Sequence, residues 1–155
     1  NLFDYSEAKC DMESVSENKK FFETLAKDTF DYKNNQSSLF AFSGKYSQYL
    51  DKNQPWGSNI HFKDVKSGDY YEVTLWKKSP DNKCVLVASC EDLNDFYVTN
   101  NYVKKYKNGW EQIELTFEVN KKIENKLINI YAWYTGDSSV YTDDFQVKRG
   151  RIRDP

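Results

Sequence analysis

The sequence is short of sulfur, histidine and proline: one Met, one His, three Cys and three Pro in 155 residues. Each shortage removes a class of protein. The single histidine, His61, has no Cys or His at metal-ligand spacing, and CxxC is absent, so a zinc enzyme is not expected. Three cysteines, Cys10, Cys84 and Cys90, are an odd number, which argues against a complete disulfide framework. Cys84 and Cys90 share CVLVASC, and on one extended strand their Cα atoms would stand roughly 20 Å apart, beyond disulfide reach. All three are expected free and packed. No run approaches the roughly 20 apolar residues of a membrane-spanning helix. Six glycines and three prolines exclude collagen-like and low-complexity chains. A formal net charge of −2 gives no basic footprint for nucleic acid. KKYK at 104–107 and KRGRIR at 148–153 are read as solvated edges.

Aromatic residues are abundant, with twelve Tyr, ten Phe and four Trp. They fill cores, but Tyr and Trp also make amphipathic contact surfaces at low entropic cost. The length suits one domain with a sizeable core, residues 1–149, and the polar KRGRIRDP end reads as a tail or a linker to a further domain over 150–155. The start at Asn1, without a hydrophobic signal region, suggests a processed or excised piece.

Most of the chain counts in twos, the period of a strand with one wet and one dry face. In YYEVTLWKK, Tyr71, Val73 and Leu75 fall on one side, and Tyr70, Glu72, Thr74 and Trp76 on the other. IELTFEV and INIYAWYT repeat the pattern, the latter setting Asn129, Tyr131 and Trp133 opposite Ile128, Ile130, Ala132 and Tyr134. SLFAFS, KYSQYL, NIHFKDV, KCVLVAS, DFYVTNNYV and VYTDDFQVK are further strand candidates. Turn signals every 8 to 12 residues or so point to an all-β antiparallel sandwich. SVSENKKFFETLAKDTF dissents: Ser14 and Glu17 have capping-box spacing, which suits one short helix near residues 16–28, though an irregular strand fits equally. In VYTDDFQVK the adjacent acids Asp143 and Asp144 lie on a half-buried segment, and something must compensate them.

The order FSGKYS, FKDVKSGDYYEVTLWKK, NGWEQIELTFEV and INIYAWYTGDSSVYTDDFQV resembles the jelly-roll carbohydrate-binding modules of the family 4, 9 and 22 group, within the galactose-binding-domain-like folds. The resemblance covers roughly residues 38–149, and its closing "vyxDDxxv" strand is its most specific motif. It implies a jelly roll, a poly- or oligosaccharide ligand and a covalently linked neighbouring domain. It also implies a structural Ca2+ held by Asp143 with Asp144 beside it, Glu13 from the first strand, and backbone carbonyls near Gly44 and Lys45. CDMES stands here in place of the group's usual "NGDFE" opening. Apart from the resemblance, the two acids are open to other readings, as a solvated strand pair or as acceptors of backbone hydrogen bonds at a turn. The Lys-, Asn- and Tyr-rich composition is similar to that of gut or soil Bacteroidetes proteins. An extracellular or cell-surface bacterial polysaccharide-utilisation protein, monomeric and not membrane-inserted, is the corresponding expectation.

Sugar binding needs flat rings beneath the C–H face of a pyranose and polar groups for its hydroxyls. The outward sets offer Trp76 with Glu72, and Trp133 with Tyr131 and Asn129. If the two strands shared a sheet, both tryptophans would line one groove. Trp56, in the polar turn DKNQPWGSN, is the best single candidate for an exposed platform, with Tyr97 or Tyr102 at a loop rim. Trp110, after a KNG turn, is expected to be packed. Glu72, Glu111, Glu114 and Glu118 could serve as glycosidase acids. Without GxSxG, HExxH or a phosphate loop, however, they are read as ordinary solvent-facing residues, so no enzyme is expected. A structural or protein-interaction spacer shares every fold signal and would differ only in whether the aromatics are exposed together.

Overall fold

The computed structural model describes residues 3–24 and 28–152. Thirteen strands form two antiparallel sheets: β1 (Phe3–Cys10), β2 (Phe21–Phe22), β3 (Phe30–Asp31), β4 (Gln36–Ser37), β5 (Ser47–Asp51), β6 (Trp56–Phe62), β7 (Tyr70–Lys78), β8 (Cys84–Cys90), β9 (Tyr97–Asn100), β10 (Tyr102–Lys107), β11 (Trp110–Glu118), β12 (Ile128–Tyr134) and β13 (Ser139–Ile152). Sheet A has the order β10-β11-β7-β13-β5-β4 with β1 also paired to β13, and sheet B the order β2-β3-β6-β12-β8-β9. From β5 onward the chain crosses repeatedly between the sheets, as in a jelly roll.

Alternation explains why these segments are strands. β7 and β12 bury every second residue, Tyr71, Val73 and Leu75 in one and Ile128, Ile130, Ala132 and Tyr134 in the other. These inner faces meet in one apolar core. Phe30 of sheet B packs edge-on against Phe145 of sheet A at 5.5 Å, and Tyr71 stacks on Phe117 at 4.9 Å. All three cysteines are free and buried, and burial pushes the thiols of Cys10 and Cys84 up to about 12. Trp110 is buried as expected.

One open reading is resolved and three expectations change. The segment that suits a short helix near 16–28 or, equally, an irregular strand forms no helix among its described residues. Phe21 and Phe22 instead make a strand against β3, and the Ser16 hydroxyl caps a tight turn through Asn18 and Phe21. Two consecutive phenylalanines, one buried in the core and one outside, suit a strand rather than a helical stripe. SLFAFS is no strand but a loop across the outer face of sheet A, for reasons given below. DFYVTNNYV is not one strand, because β9 joins sheet B and β10 joins sheet A. The sandwich also does not stop at residue 149.

Residues 150–152 belong to β13, paired with Phe3, Asp4 and Tyr5 of β1. Arg151 explains the extension. Its guanidinium grips the buried Asp69 through two bonds of 2.9 Å, to Oδ1 and Oδ2. Burial alone would push the Asp69 carboxyl up, yet the Arg151 fork and the Lys66 N–H hold it below the ordinary carboxylate range. Breaking such a pair leaves a buried charge uncompensated. Arg151→Ala is expected to lower unfolding stability by about 3 kcal/mol, read by urea titration. Because the folded pKa of Asp69 is depressed, its contribution is present at neutral pH and is lost as the pH falls through the acid range.

Candidate glycan-binding face

The outer face of sheet B gathers five residues that the sequence nominates. Residues directly opposite on paired strands share a face, so Trp56 of β6, opposite Trp133 of β12, points outward with it. A register shift between Tyr131 and Trp133 makes this pairing possible. It falls at Gly57, where a Cβ would come within 2.9 Å of the end of the Gln48 side chain and 3.3 Å of Ala132 Cβ, so the missing side chain eases the close approach of the strands. The next row runs Asn59, Tyr131, Val87, Thr99, and the one after it His61, Asn129, Ser89, Tyr97. Trp56 is 55% exposed and Tyr97 38%. Tyr131 and Trp133 are half-buried, ringed by their cross-strand neighbours. Burial and then the neighbouring Tyr131 phenol push the Tyr97 hydroxyl up, so the Tyr97 phenol stays a protonated donor at neutral pH.

Polar groups interleave with these rings. The His61 Nδ1 bonds the Asn129 side-chain oxygen, which can only accept, so Nδ1 carries the proton. Its Nε2 then stands 3.8 Å from Asp31, which also has Lys33 Nζ at 3.8 Å. The side-chain oxygen of Asn59 is buried with no hydrogen-bond partner. His61, Asn59 and Asp31 were not nominated from sequence. The period of NIHFKDV does put Asn59 and His61 on one side, but nothing local tells which sheet that side belongs to.

The other nominated residues lie elsewhere. β7 is in sheet A and β12 in sheet B, so Trp76 and Trp133 point out of opposite sides of the sandwich and cannot line one groove. Glu72 goes with Trp76. Tyr102 of β10 sits opposite Glu114 at the edge of sheet A, also away from Trp133. Trp76 is moreover half covered, with Phe42 stacked on it at 4.0 Å and an interplanar angle of 13°.

Phe42 reaches Trp76 because the two aspartates hold its loop. Asp143 is fully buried, and its Oδ2 accepts the N–H groups of Phe42 (2.9 Å) and Ser43 (3.1 Å) while Oδ1 accepts that of Asp144 (2.8 Å). Asp144, at φ +48° in a bulge of β13, accepts the Ser43 hydroxyl at 2.7 Å. Glu13 does the same for the next turn, taking the Lys45 N–H at 2.8 Å and the Tyr46 N–H at 2.9 Å. Gly44, at φ +63°, leaves the room: a Cβ there would stand 2.4 Å from a Glu13 oxygen.

Calcium takes six to eight oxygen ligands. Here both oxygens of Asp143 and both of Glu13 face backbone N–H groups, and Lys45 offers Glu13 its N–H rather than a carbonyl. A cation among them would meet the positive ends of those dipoles, so the residues do not fit Ca2+. Among the described residues no group of three or more His, Cys, Asp or Glu is arranged to hold a metal. The acids act as acceptors of backbone hydrogen bonds at a turn. Burial, reinforced by Asp144, outweighs the N–H bonds and pushes Asp143 up to about 7. A folded pKa raised above the unfolded one gives stability that is full below the ordinary Asp range and is lost as pH rises toward 7. The melting temperature of the wild type is therefore expected to decline between about pH 4 and pH 7 more steeply than that of Asp143→Asn.

No protein-family model and no curated protein sequence matches the chain. Solved structures do. The first xylan-binding domain, CBM22-1, of Paenibacillus barcinonensis Xyn10C is 12% identical, with a TM-score of 0.56 over 96% of this chain and 95% of that one. The second, CBM22-2, is 14% identical, with a TM-score of 0.53 over 90% and 97%. The chain has the fold of a carbohydrate-binding-module β-sandwich. A Clostridium thermocellum endo-1,4-β-D-xylanase 10B, comprising CBM22-1 and GH10 modules complexed with xylohexaose, is 12% identical, with a TM-score of 0.50 over 74% of this chain and 24% of that one.

Proposed function

We propose that the protein is a non-catalytic carbohydrate-binding module whose ligand, an extended poly- or oligosaccharide, lies across the outer face of sheet B. The observation that carries this reading is the convergence of Trp56, Trp133, Tyr131 and Tyr97 with Asn59, Asn129 and His61 on one face of three adjoining strands and the edge strand β9. Flat rings supply the stacking surface, and carboxamides, phenols and the imidazole answer hydroxyl groups. A face built on strands is also preorganised, so little ordering cost opposes binding.

The fold likeness to xylan-binding domains makes a β-linked plant-type polymer such as xylan the first ligand to test. The module acts by raising the local concentration of an attached domain at its glycan, outside the cell or at its surface. No helix among the described residues is long and apolar enough to cross a membrane. The test is affinity electrophoresis of the purified chain through gels containing xylan, mannan, galactan or β-glucan. Retardation by one polymer class is the expected result, and free migration through all of them overturns the proposal in favour of a spacer role.

A further inference from the structure

A depression of about 780 Å3 lies on sheet A, opposite the face just described. That volume is within the usual range of ligand sites. Its floor is a cross-strand array fixed by the register: Gln112 beside Trp76, and Thr74 beside Gln146, which in turn faces Lys9. Its wall rises where β13 bulges between Asp143 and Gln146, which turns Asp144 up beside Asp11. Trp76, on which Phe42 stacks, also lines it. The side-chain oxygen of Gln112 is buried there with no hydrogen-bond partner.

These groups have the chemistry of a sugar site, an indole with two carboxamides and a hydroxyl, but a neutral sugar does not account for the charge. Glu7, Asp11, Glu23 and Asp144 line the depression against a single cation, Lys9, among the described residues. Lys9 is engaged by Glu7 at 3.4 Å. Asp11, Glu23 and Asp144 have no Lys or Arg partner among the described residues. A ligand that brings its own positive charge fits, and a Trp ring favours a cation as well as a pyranose face.

We infer that this depression is a second ligand site, for an amino sugar with a free, protonated amine, as in a glucosamine oligosaccharide. The sugar ring lies against Trp76, its hydroxyls meet Gln112, Thr74 and Gln146, and its ammonium sits among Asp11, Glu23 and Asp144. This assignment is independent of the sheet B reading.

The test is calorimetric titration of the whole chain with a glucosamine tetramer at about pH 5.5, where the amine is charged and ordinary carboxylates are ionised. Its N-acetylated counterpart, a xylo-oligosaccharide and tetralysine serve as comparisons. The expected result is saturable binding of the glucosamine tetramer, at least tenfold tighter than of the acetylated form or tetralysine. It should weaken at least tenfold in Asp11→Asn and in Trp76→Ala and be unchanged in Trp133→Ala. Asp11→Asn, at the rim, keeps the test valid should Trp76→Ala fail to fold. Absence of glucosamine binding overturns the proposal. Equal binding of tetralysine also overturns it, showing a cationic-peptide surface, and so does binding lost in Trp133→Ala but kept in Asp11→Asn, which would place the amino sugar on sheet B.

Discussion

On the proposed function, Trp133→Ala is expected to weaken glycan binding by about thirtyfold, with a melting temperature within a few degrees of wild type. The figure follows from the ring's place. Trp133 is central on the outer face of sheet B, and truncating a central aromatic anchor typically costs about 2 kcal/mol, or thirtyfold in Kd. Its burial comes from neighbours on the same face, not from the core, so the sandwich loses little. Trp56→Ala should act in the same direction with less amplitude, since that residue is more than half exposed to solvent. Isothermal titration of both variants, with a thermal melt of each, checks the claim. If Trp133→Ala instead melted more than 10 °C lower with affinity unchanged, the ring would be structural and the sheet B face would lose its centre. Trp76→Ala, on the opposite sheet, should leave this affinity intact.

Asp143→Ala is expected to be the most damaging single substitution at the 38–46 loop, costing about 3 kcal/mol. Three backbone N–H groups lose their acceptor in a fully buried position, and an orphaned buried donor costs roughly 1–3 kcal/mol, part of which water recovers by entering. For a chain of this length the loss corresponds to a fall of about 6–12 °C in melting temperature. Loss of the loop would also uncover Trp76, so its fluorescence should shift to the red. The same geometry predicts that adding calcium or a chelator leaves the wild-type melt unchanged, because N–H groups occupy the oxygens an ion would need. A melting temperature raised several degrees by calcium would mean that the loop turns its carbonyls inward in the bound state, and the amide clamp would have to be given up.

Part of the candidate face is legible in the sequence, and the rest is not, for definite reasons. The outward sets on β7 and β12 follow from period two alone, because successive side chains must point to opposite faces. Trp56 was nominated from a polar turn and is open to solvent. Trp76 was nominated by the same logic as Trp133, yet it lies across the molecule, since a strand's alternation is silent about which sheet the strand joins. SLFAFS has the apolar content of a strand but runs as a loop, since its amides bond to Asp143, a residue about 100 positions later. β1 gave no sequence signal because only Ala8 and Cys10 of its eight residues are buried.

The sequence by itself determined that this is a β-sandwich with aromatic and amide groups on its wet faces, because alternation, turn residues and composition are local quantities. Tertiary structure alone decided which aromatics share a face, that residues 150–152 close a sheet, and that the paired aspartates hold a loop. Those outcomes depend on strand order, on a bulge and on hydrogen bonds between segments far apart in the chain, and no local pattern encodes which distant segment will supply the partner.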